Sequence, residues 1–326
     1  MVPSGVTGMS ARTLPISRWI DFGVLVFVNL LWAAQYPAYQ TATDSMDVAS
    51  LALWTLTASI VIFLPFLYLE HKKRQKIPGT RKLGRSLLDF LLLGLLGVVP
   101  PSVVLAWGIA RSTASNASIL ALTIPVLMTC MAVVLLGERF TRIRVIVLVV
   151  SLLGTMLMSV EDLRHGSFGR ELLIGNIAIF LSGLGSAFLN TYSKNVLTRF
   201  SELELLTYSY VVAIVACGIF SAVAEPHPFY HVVGYPLKAW VSVFVLGGLS
   251  WGLAMVLWMW VLGRLDVGQV SVSIYLLPFF GLGLSMITLH QKVSLTQLIG
   301  GVLVLIGTVV LTVYEKPPEK TELQKV

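Results

Sequence analysis

Apolar residues run through this chain in long stretches, broken by short clusters of charge, proline and glycine. They do not alternate as in a half-buried strand or form the single stripe of a surface helix. A helix needs about 20 mostly apolar residues to cross the hydrocarbon of a bilayer. Runs of that length predict ten spans, near residues 20–40, 48–69, 87–110, 116–136, 143–160, 172–194, 204–224, 239–262, 268–289 and 295–314. The first run follows Arg12 and Arg18, as a secretory leader would, but it is too long for a leader's apolar region and nine more runs follow it. The expected class is an all-α integral membrane protein, with polar tails at residues 1–17 and 315–326.

Composition agrees with this pattern. The 326 residues are 56% apolar and 12% charged, with a mean hydropathy of +0.85, whereas soluble domains carry about 25% charge. A water-soluble enzyme is excluded. The net charge of +7 does not point to nucleic acid, because the cations sit in short segments between apolar runs and form no continuous basic face. They report topology instead. With the amino terminus inside, 18 of the 23 Lys and Arg fall on the cytoplasmic side, among them Lys72, Lys73, Arg74, Lys76, Arg81, Lys82 and Arg85; Arg111, Arg164, Arg170, Lys238 and Lys292 fall outside. The positive-inside bias therefore predicts that both termini are cytoplasmic. Cys130 and Cys217 each lie inside an apolar run, which indicates no disulfide framework.

The chain resembles itself. A gap-free shift of 153 positions aligns Trp107 with Trp260, Arg111 with Arg264, Asn116 with Gln269, Ser118 with Ser271, Pro125 with Pro278, and Gly154-Thr155 with Gly307-Thr308. The first span falls on the sixth under the same shift. Each copy then holds five spans, residues 18–161 and 162–314, and an odd number forces the second copy into the membrane upside down. Inverted repeats of this kind hold the substrate site of many secondary transporters near the midplane, where the copies meet.

Ser115-Asn116-Ala117, Ile124-Pro125-Val126, Leu136-Gly137-Glu138-Arg139-Phe140-Thr141 and Leu153-Gly154, with Leu31-Trp32 near the start, resemble the EamA repeat of the drug/metabolite transporter superfamily. The resemblance covers residues 20–314. It implies a ten-helix bundle carrying small metabolites across a bacterial inner membrane. The second copy departs from the pattern: Leu289-His290-Gln291-Lys292-Val293-Ser294 stands where the Gly-Glu-Arg-x-Thr run is expected.

Ionisable groups at bilayer depth default to functional hypotheses, yet none of the 16 acids lies near the middle of a span. Asp21, Asp89 and Glu138 sit near cytoplasmic span ends, and Lys194 closes the sixth span, where it can snorkel. A phosphate-bearing substrate would want a deep cation, so a neutral, zwitterionic or amphipathic solute is expected. The interior offers aromatic rings and amides. Trp32, Gln35, Tyr36, Trp107, Asn116, Asn190, Trp251 and Tyr275 are the candidate substrate-binding residues, since ligand cavities are mostly apolar with a few placed polar groups. Alanine at Trp32 or Tyr36 is expected to weaken transport and leave stability nearly unchanged.

Pro125 and Pro278 fall mid-span and free the carbonyls of Ala121 and Ile274, which makes them candidate hinges or static kinks. Trp107 and Trp260 are candidate gates or interface-belt residues, and Glu138 with Arg139 a candidate inner-gate pair or a turn-fixing pair before Thr141. Asn116 and Gln269 either cap their helices or face the pathway. Gly248-x-x-x-Gly252 is a packing surface, within the bundle or between the protomers of a homodimer. His71, His165, His227, His231 and His290 sit in loops or at interfaces without metal-ligand spacing, so no metal, cofactor or catalytic group is expected. The expectation is an alternating-access transporter of a small molecule, export favoured by the resemblance; the alternatives are an uncoupled channel or facilitator and, from another class, an intramembrane enzyme.

Overall fold

The computed structural model describes residues 16–74, 83–136, 167–262 and 272–291, with separate helical positions between 142 and 153 and between 295 and 306. Glu138, Arg139, Thr141, Arg264, Gln269 and most of the fifth and tenth predicted spans lie outside the described residues. Helices and turns make up the described chain, with no strand among the described residues. Among the described residues six helices are long and apolar enough to cross a membrane: Ile20–Thr43, Val48–Lys72, Ser86–Ile109, Gly169–Leu197, Glu202–Ala224 and Leu237–Leu262. Shorter apolar helices, Ala114–Met128 and Leu276–Leu289, occupy the places of the fourth and ninth predicted spans.

Several of these rods are bent or widened where the sequence withdraws a backbone donor or a side chain. The first breaks at Ala34, between α1 (Ile16–Ala33) and α2 (Gln35–Thr43), because Pro37 has no N–H for the Ala33 carbonyl. After α3 (Val48–Arg74), the rod from α4 (Leu83–Leu92) to α5 (Leu105–Ile109) carries π-helical turns at Leu93–Val98 and Pro100–Val104. Pro100 and Pro101 cannot donate, and the wider turn lets Leu105 N–H reach the Pro100 carbonyl.

The next rod is α6 (Ala114–Leu120), a 3-10 turn at Ala121–Thr123, and α7 (Ile124–Leu136). Pro125 frees the Ala121 carbonyl, as expected, but the tighter turn gives it a new donor, Ile124 N–H. Thr113 caps this rod by accepting from Asn116 N–H at 3.0 Å. That corrects the capping alternative for Asn116, whose side chain donates instead to Ser112 Oγ and Asn176 Oδ1, both at 3.2 Å.

The long α8 (Ser167–Leu197) is unbroken, and α9 (Glu202–Ala224) begins with a reciprocal cap: Ser201 Oγ accepts from Glu204 N–H while Glu204 Oε2 accepts from Ser201 N–H. A π-helical stretch, Phe244–Ala254, joins α10 (Leu237–Val243) to α11 (Met255–Leu262). Here glycine makes the room. A Cβ on Gly247 would collide with the Thr55 carbonyl of α3, so the missing side chain lets the two backbones touch and Ser59 Oγ reach the Gly247 carbonyl at 2.8 Å. Gly248 and Gly252 are buried in the same chain, against Phe244 and Ile62. A 3-10 turn at Val272–Tyr275 leads into α12 (Leu276–Leu289).

The packing partners are α8 against the α4–α5 rod and α7, α1 against α12 and the α10–α11 rod, and α3 against α9. Polar contacts gather at the two ends of the bundle. At one end the Glu225 carboxylate accepts from Ala49 N–H (2.6 Å), Ser50 N–H (3.0 Å) and Ser50 Oγ (2.7 Å), satisfying the start of α3. Asp47 accepts from His227 N–H nearby at 2.9 Å. In the same loop the Tyr235 hydroxyl donates to the His227 carbonyl at 3.3 Å, and burial pushes its pKa above the ordinary tyrosine value. At the other end Asp89 accepts from Tyr192 Oη (2.6 Å) and Arg199 Nη2 (2.7 Å), and Ser201 Oγ donates to Glu70 at 3.1 Å.

Candidate functional site

The bundle holds a cavity with about 810 Å³ of empty space, its open mouth included. Trp32, Gln35 and Tyr36 reach it from the broken first rod, Pro101 and Leu105 from the α4–α5 rod, and Ala117, Leu120, Ala121 and Ile124 from α6 and its kink. The far wall is Ile179, Ser182, Gly183, Ser186, Leu189 and Asn190 of α8, Ser250, Trp251 and Met255 near the second π-helical stretch, and Ile274 and Leu277. No Asp, Glu, Lys, Arg or His stands among these lining residues. Lining residues flank or lie within the break at Ala34, the π-helical turns at Pro100–Val104 and Phe244–Ala254, and the 3-10 turns at Ala121–Thr123 and Val272–Tyr275. Backbone that leaves the regular helix at membrane depth is tolerated where it faces protein or a cavity, and here it gives the wall its concave shape.

The aromatic groups are held by their polar edges. Trp32 Nε1 donates to the Ser250 carbonyl at 3.3 Å, and Ser250 Oγ donates back to the Leu31 carbonyl at 2.8 Å, which ties α1 to the π-helical stretch. Trp251 Nε1 donates to Tyr39 Oη at 2.8 Å, and Tyr210 Oη donates to the Trp251 carbonyl at 2.9 Å. Trp258, fully buried, packs on Trp32 with ring centroids 4.8 Å apart and donates from Nε1 to Asn190 Oδ1 at 2.8 Å. With all three indole N–H groups spent on the protein, Trp32 and Trp251 offer the cavity ring surface alone. The amide of Gln35 and the phenol of Tyr36 stand beside them at the break in the first rod.

Of the eight candidate binding residues, Trp32, Gln35, Tyr36, Asn190 and Trp251 meet at this cavity. Trp107 and Asn116 stand apart from it. The Arg111 guanidinium lies 3.8 Å over the Trp107 ring, and Arg111 also pairs with Glu171 at 3.7 Å, which places Trp107 at the bundle end. Asn116 is fully buried in its contact with Asn176 and Ser112. Tyr275 ends the 3-10 turn directly after the lining residue Ile274, and its side chain lies outside the described residues. Pro125 and Pro278 directly follow the lining residues Ile124 and Leu277. Trp260 lies off the wall; two residues earlier in α11, Trp258 makes the contact with Trp32.

The expectation that alanine at Tyr36 leaves stability unchanged does not survive. Tyr36 is only 3% exposed, and its removal would hollow out a packed site. Ser182, Gly183 and Ser186 were missed because small residues in a long apolar run carry no mark of which way they face. The shift of 153 positions is the one signal that could have found part of this wall, since it carries the lining residues Tyr36, Ala121 and Ile124 onto Leu189, Ile274 and Leu277, which also line it.

Residues 19–160 and 173–313 match the EamA-like transporter family. Over 288 residues the chain is 27% identical to a probable terminal-alkyne amino-acid exporter of Streptantibioticus cattleyicolor, covering 88% of this chain and 91% of that protein. It is 21% identical over 284 residues to the uncharacterized transporter YoaV of Bacillus subtilis (87% and 93% covered), and 20% identical over 296 residues to an uncharacterized transporter of Archaeoglobus fulgidus (90% and 97%). A solved crystal structure shares the fold with a TM-score of 0.62 over 90% of this chain and 97% of its own, at 17% identity.

Proposed function

Because the chain belongs to the EamA-like transporter family over both matched stretches, we propose that it is a ten-helix secondary transporter that exports a small organic solute by alternating access. The family and the relatives are transporters, not enzymes. The single observation that carries the reading is the uncharged cavity and the origin of its walls. They come from the first, third and fourth rods and from the sixth, eighth and ninth, which are the partners of those three under the shift of 153 positions. The π-helical turns at 93–104 and 244–254, and the 3-10 turns at 121–123 and 272–275, also fall on one another within a few residues. These correspondences favour two inverted five-helix halves around one midplane site.

The cavity favours a neutral or zwitterionic solute with an apolar part. A net anion would bring its charge into a wall without a cation, at a desolvation cost of several kcal/mol. A zwitterion keeps its two charges close together, and its apolar end can lie on the faces of Trp32 and Trp251. The likeness to a probable amino-acid exporter supports an amino-acid-like solute and outward movement. The positive-inside bias supports both termini in the cytoplasm of a bacterial inner membrane.

Purified protein in liposomes, loaded with pooled labelled amino acids, nucleosides and sugar phosphates, tests the reading. A carrier exchanges one of the uncharged or zwitterionic solutes, faster when the same solute waits on the far side. Exchange confined to sugar phosphates contradicts the substrate class, and flux without acceleration from the far side contradicts the carrier. Impermeant labelling of cysteines placed at Arg111 and Arg264 tests the inversion; both labelled from one face would overturn it.

A further inference from the structure

At the end of the bundle that carries Glu225, two glutamines form a clasp over the cavity. Gln291 Oε1 accepts from Ser115 N–H at 3.1 Å and from Ser115 Oγ at 2.8 Å. Its amide nitrogen donates to Gln40 Oε1 at 2.7 Å, and Gln40 Oε1 also accepts from Ala114 N–H at 2.8 Å. The two side chains thus satisfy the first N–H groups of α6, which a membrane end would otherwise leave bare. Gln291 is brought there by a sharp turn after α12: His290 has φ 53°, and Gln291 N–H folds back to the Ser285 carbonyl at 3.4 Å.

Position makes this more than a helix cap. Tyr36 and Ala117 line the cavity, and Gln40 and Ala114 lie about one helical turn beyond them on the same rods. Ser115 is 1% exposed, while Gln40 and Gln291 are half-buried, so the clasp sits between the cavity and the exterior. Below it, Gly281 of α12 lies so close to Ser118 that an added Cβ would overlap the serine side chain and sit 3.4 Å from the Tyr36 ring. The clasp and this bare glycine contact form two successive layers of closure. In both, the second half of the chain supplies one side.

The opposite end supplies an independent observation. The shift of 153 positions carries Gln40 onto Ser193, which is fully buried and whose hydroxyl has no hydrogen-bond partner among the described residues. The counterpart of the engaged Gln40 is therefore idle. The hydrogen bonding of Gln40 thus has no copy at Ser193 among the described residues.

We propose that Gln291, through Gln40 and the start of α6, is the external gate of the transport path, with Gly281 against Ser118 as its inner seal. The proposal rests on the carrier reading, but its test needs no solute. Ala117→Cys is introduced as the only cysteine, with Cys130→Ser and Cys217→Ala, and a membrane-impermeant maleimide is added outside intact cells. Gln291→Ala and, separately, Gly281→Ala should speed labelling at least about tenfold, the change expected when one or more net hydrogen bonds or a tight contact is lost. Gln291→Glu keeps the acceptor for Ser115 but loses the donor to Gln40, and should fall between parent and alanine. Rates for both alanine variants within about twofold of the parent overturn the gate; Gln291→Glu matching the parent removes Gln40 from it. Should Gln291→Ala fail to insert, Gly281→Ala decides alone. Gated labelling in a protein that moves no tested solute would retain the gate and reject the substrate class.

Discussion

Asn190→Ala removes the acceptor that Trp258 Nε1 uses at 2.8 Å and leaves that donor, on a fully buried ring, without its protein partner. Orphaning a buried donor costs about 1–3 kcal/mol in soluble proteins, whereas hydrogen bonds between membrane helices average about 0.6 and reach about 1.7 kcal/mol. The full burial of Trp258 places this bond near the upper membrane figure, about 1.5 kcal/mol. The rest of the asparagine contributes little. Among the described residues its amide nitrogen donates only to the Ser186 carbonyl of its own helix, and the lost volume opens onto the existing cavity instead of making a closed void. Trp258→Phe alone leaves Asn190 Oδ1 facing that cavity, and in the double variant neither partner is orphaned. The cost of the double should therefore fall short of the two single costs combined by about 1 kcal/mol. Reversible unfolding in mixed micelles, followed by circular dichroism, measures all four proteins. Additivity within about 0.3 kcal/mol would refute the assignment of this bond as a determinant of the wall.

Gly185→Ala would put a Cβ 2.7 Å from Pro101 Cδ and 2.8 Å from Pro100 Cβ; those rings cannot rotate away, so the melting temperature in detergent should fall by an amount equivalent to about 1–3 kcal/mol. Glu225→Gln sets an amide donor against the N–H groups of Ala49 and Ser50, and a loss of about 2 kcal/mol in the same assay is expected; parent-like melting would contradict that anchoring role. Tyr36→Phe should keep the melting temperature and raise KM for the transported solute, whereas Tyr36→Ala should lose about 3 kcal/mol of stability.

The membrane class was legible because the bilayer imposes its length on each apolar run, and Trp107 with Trp260 and Pro125 with Pro278 made the duplication visible. The irregular turns were legible only in part. Pro37, Pro100 and Pro101 mark the break at Ala34 and the first π-helical stretch, since a missing donor is written in the residue itself. The second stretch rests on Gly247 meeting a distant backbone, and nothing local announces that partner. Among the site residues, aromatics and amides near mid-span could be nominated, while Ser182, Gly183 and Ser186 could not. Trp107 could not be placed from the sequence for a physical reason: a tryptophan near a span end looks the same there whether it faces a pathway or carries an arginine on its ring. Gln291 was visible only as a departure, standing where the repeat places Glu138.

Gly183→Phe, measured by exchange in liposomes, tests most directly whether the uncharged cavity is the solute's path. Gly183 lines the cavity, and a Cβ there would stand 3.1 Å from Leu127 Cδ1 and 3.7 Å from the lining residue Ile124, so a phenyl ring must push Leu127 aside or turn into the cavity beside Ile124. The variant should insert, melt below the parent by an amount equivalent to about 1–3 kcal/mol because Leu127 must give way, and exchange no solute. Parent-like exchange by a folded Gly183→Phe protein would mean that the solute crosses elsewhere.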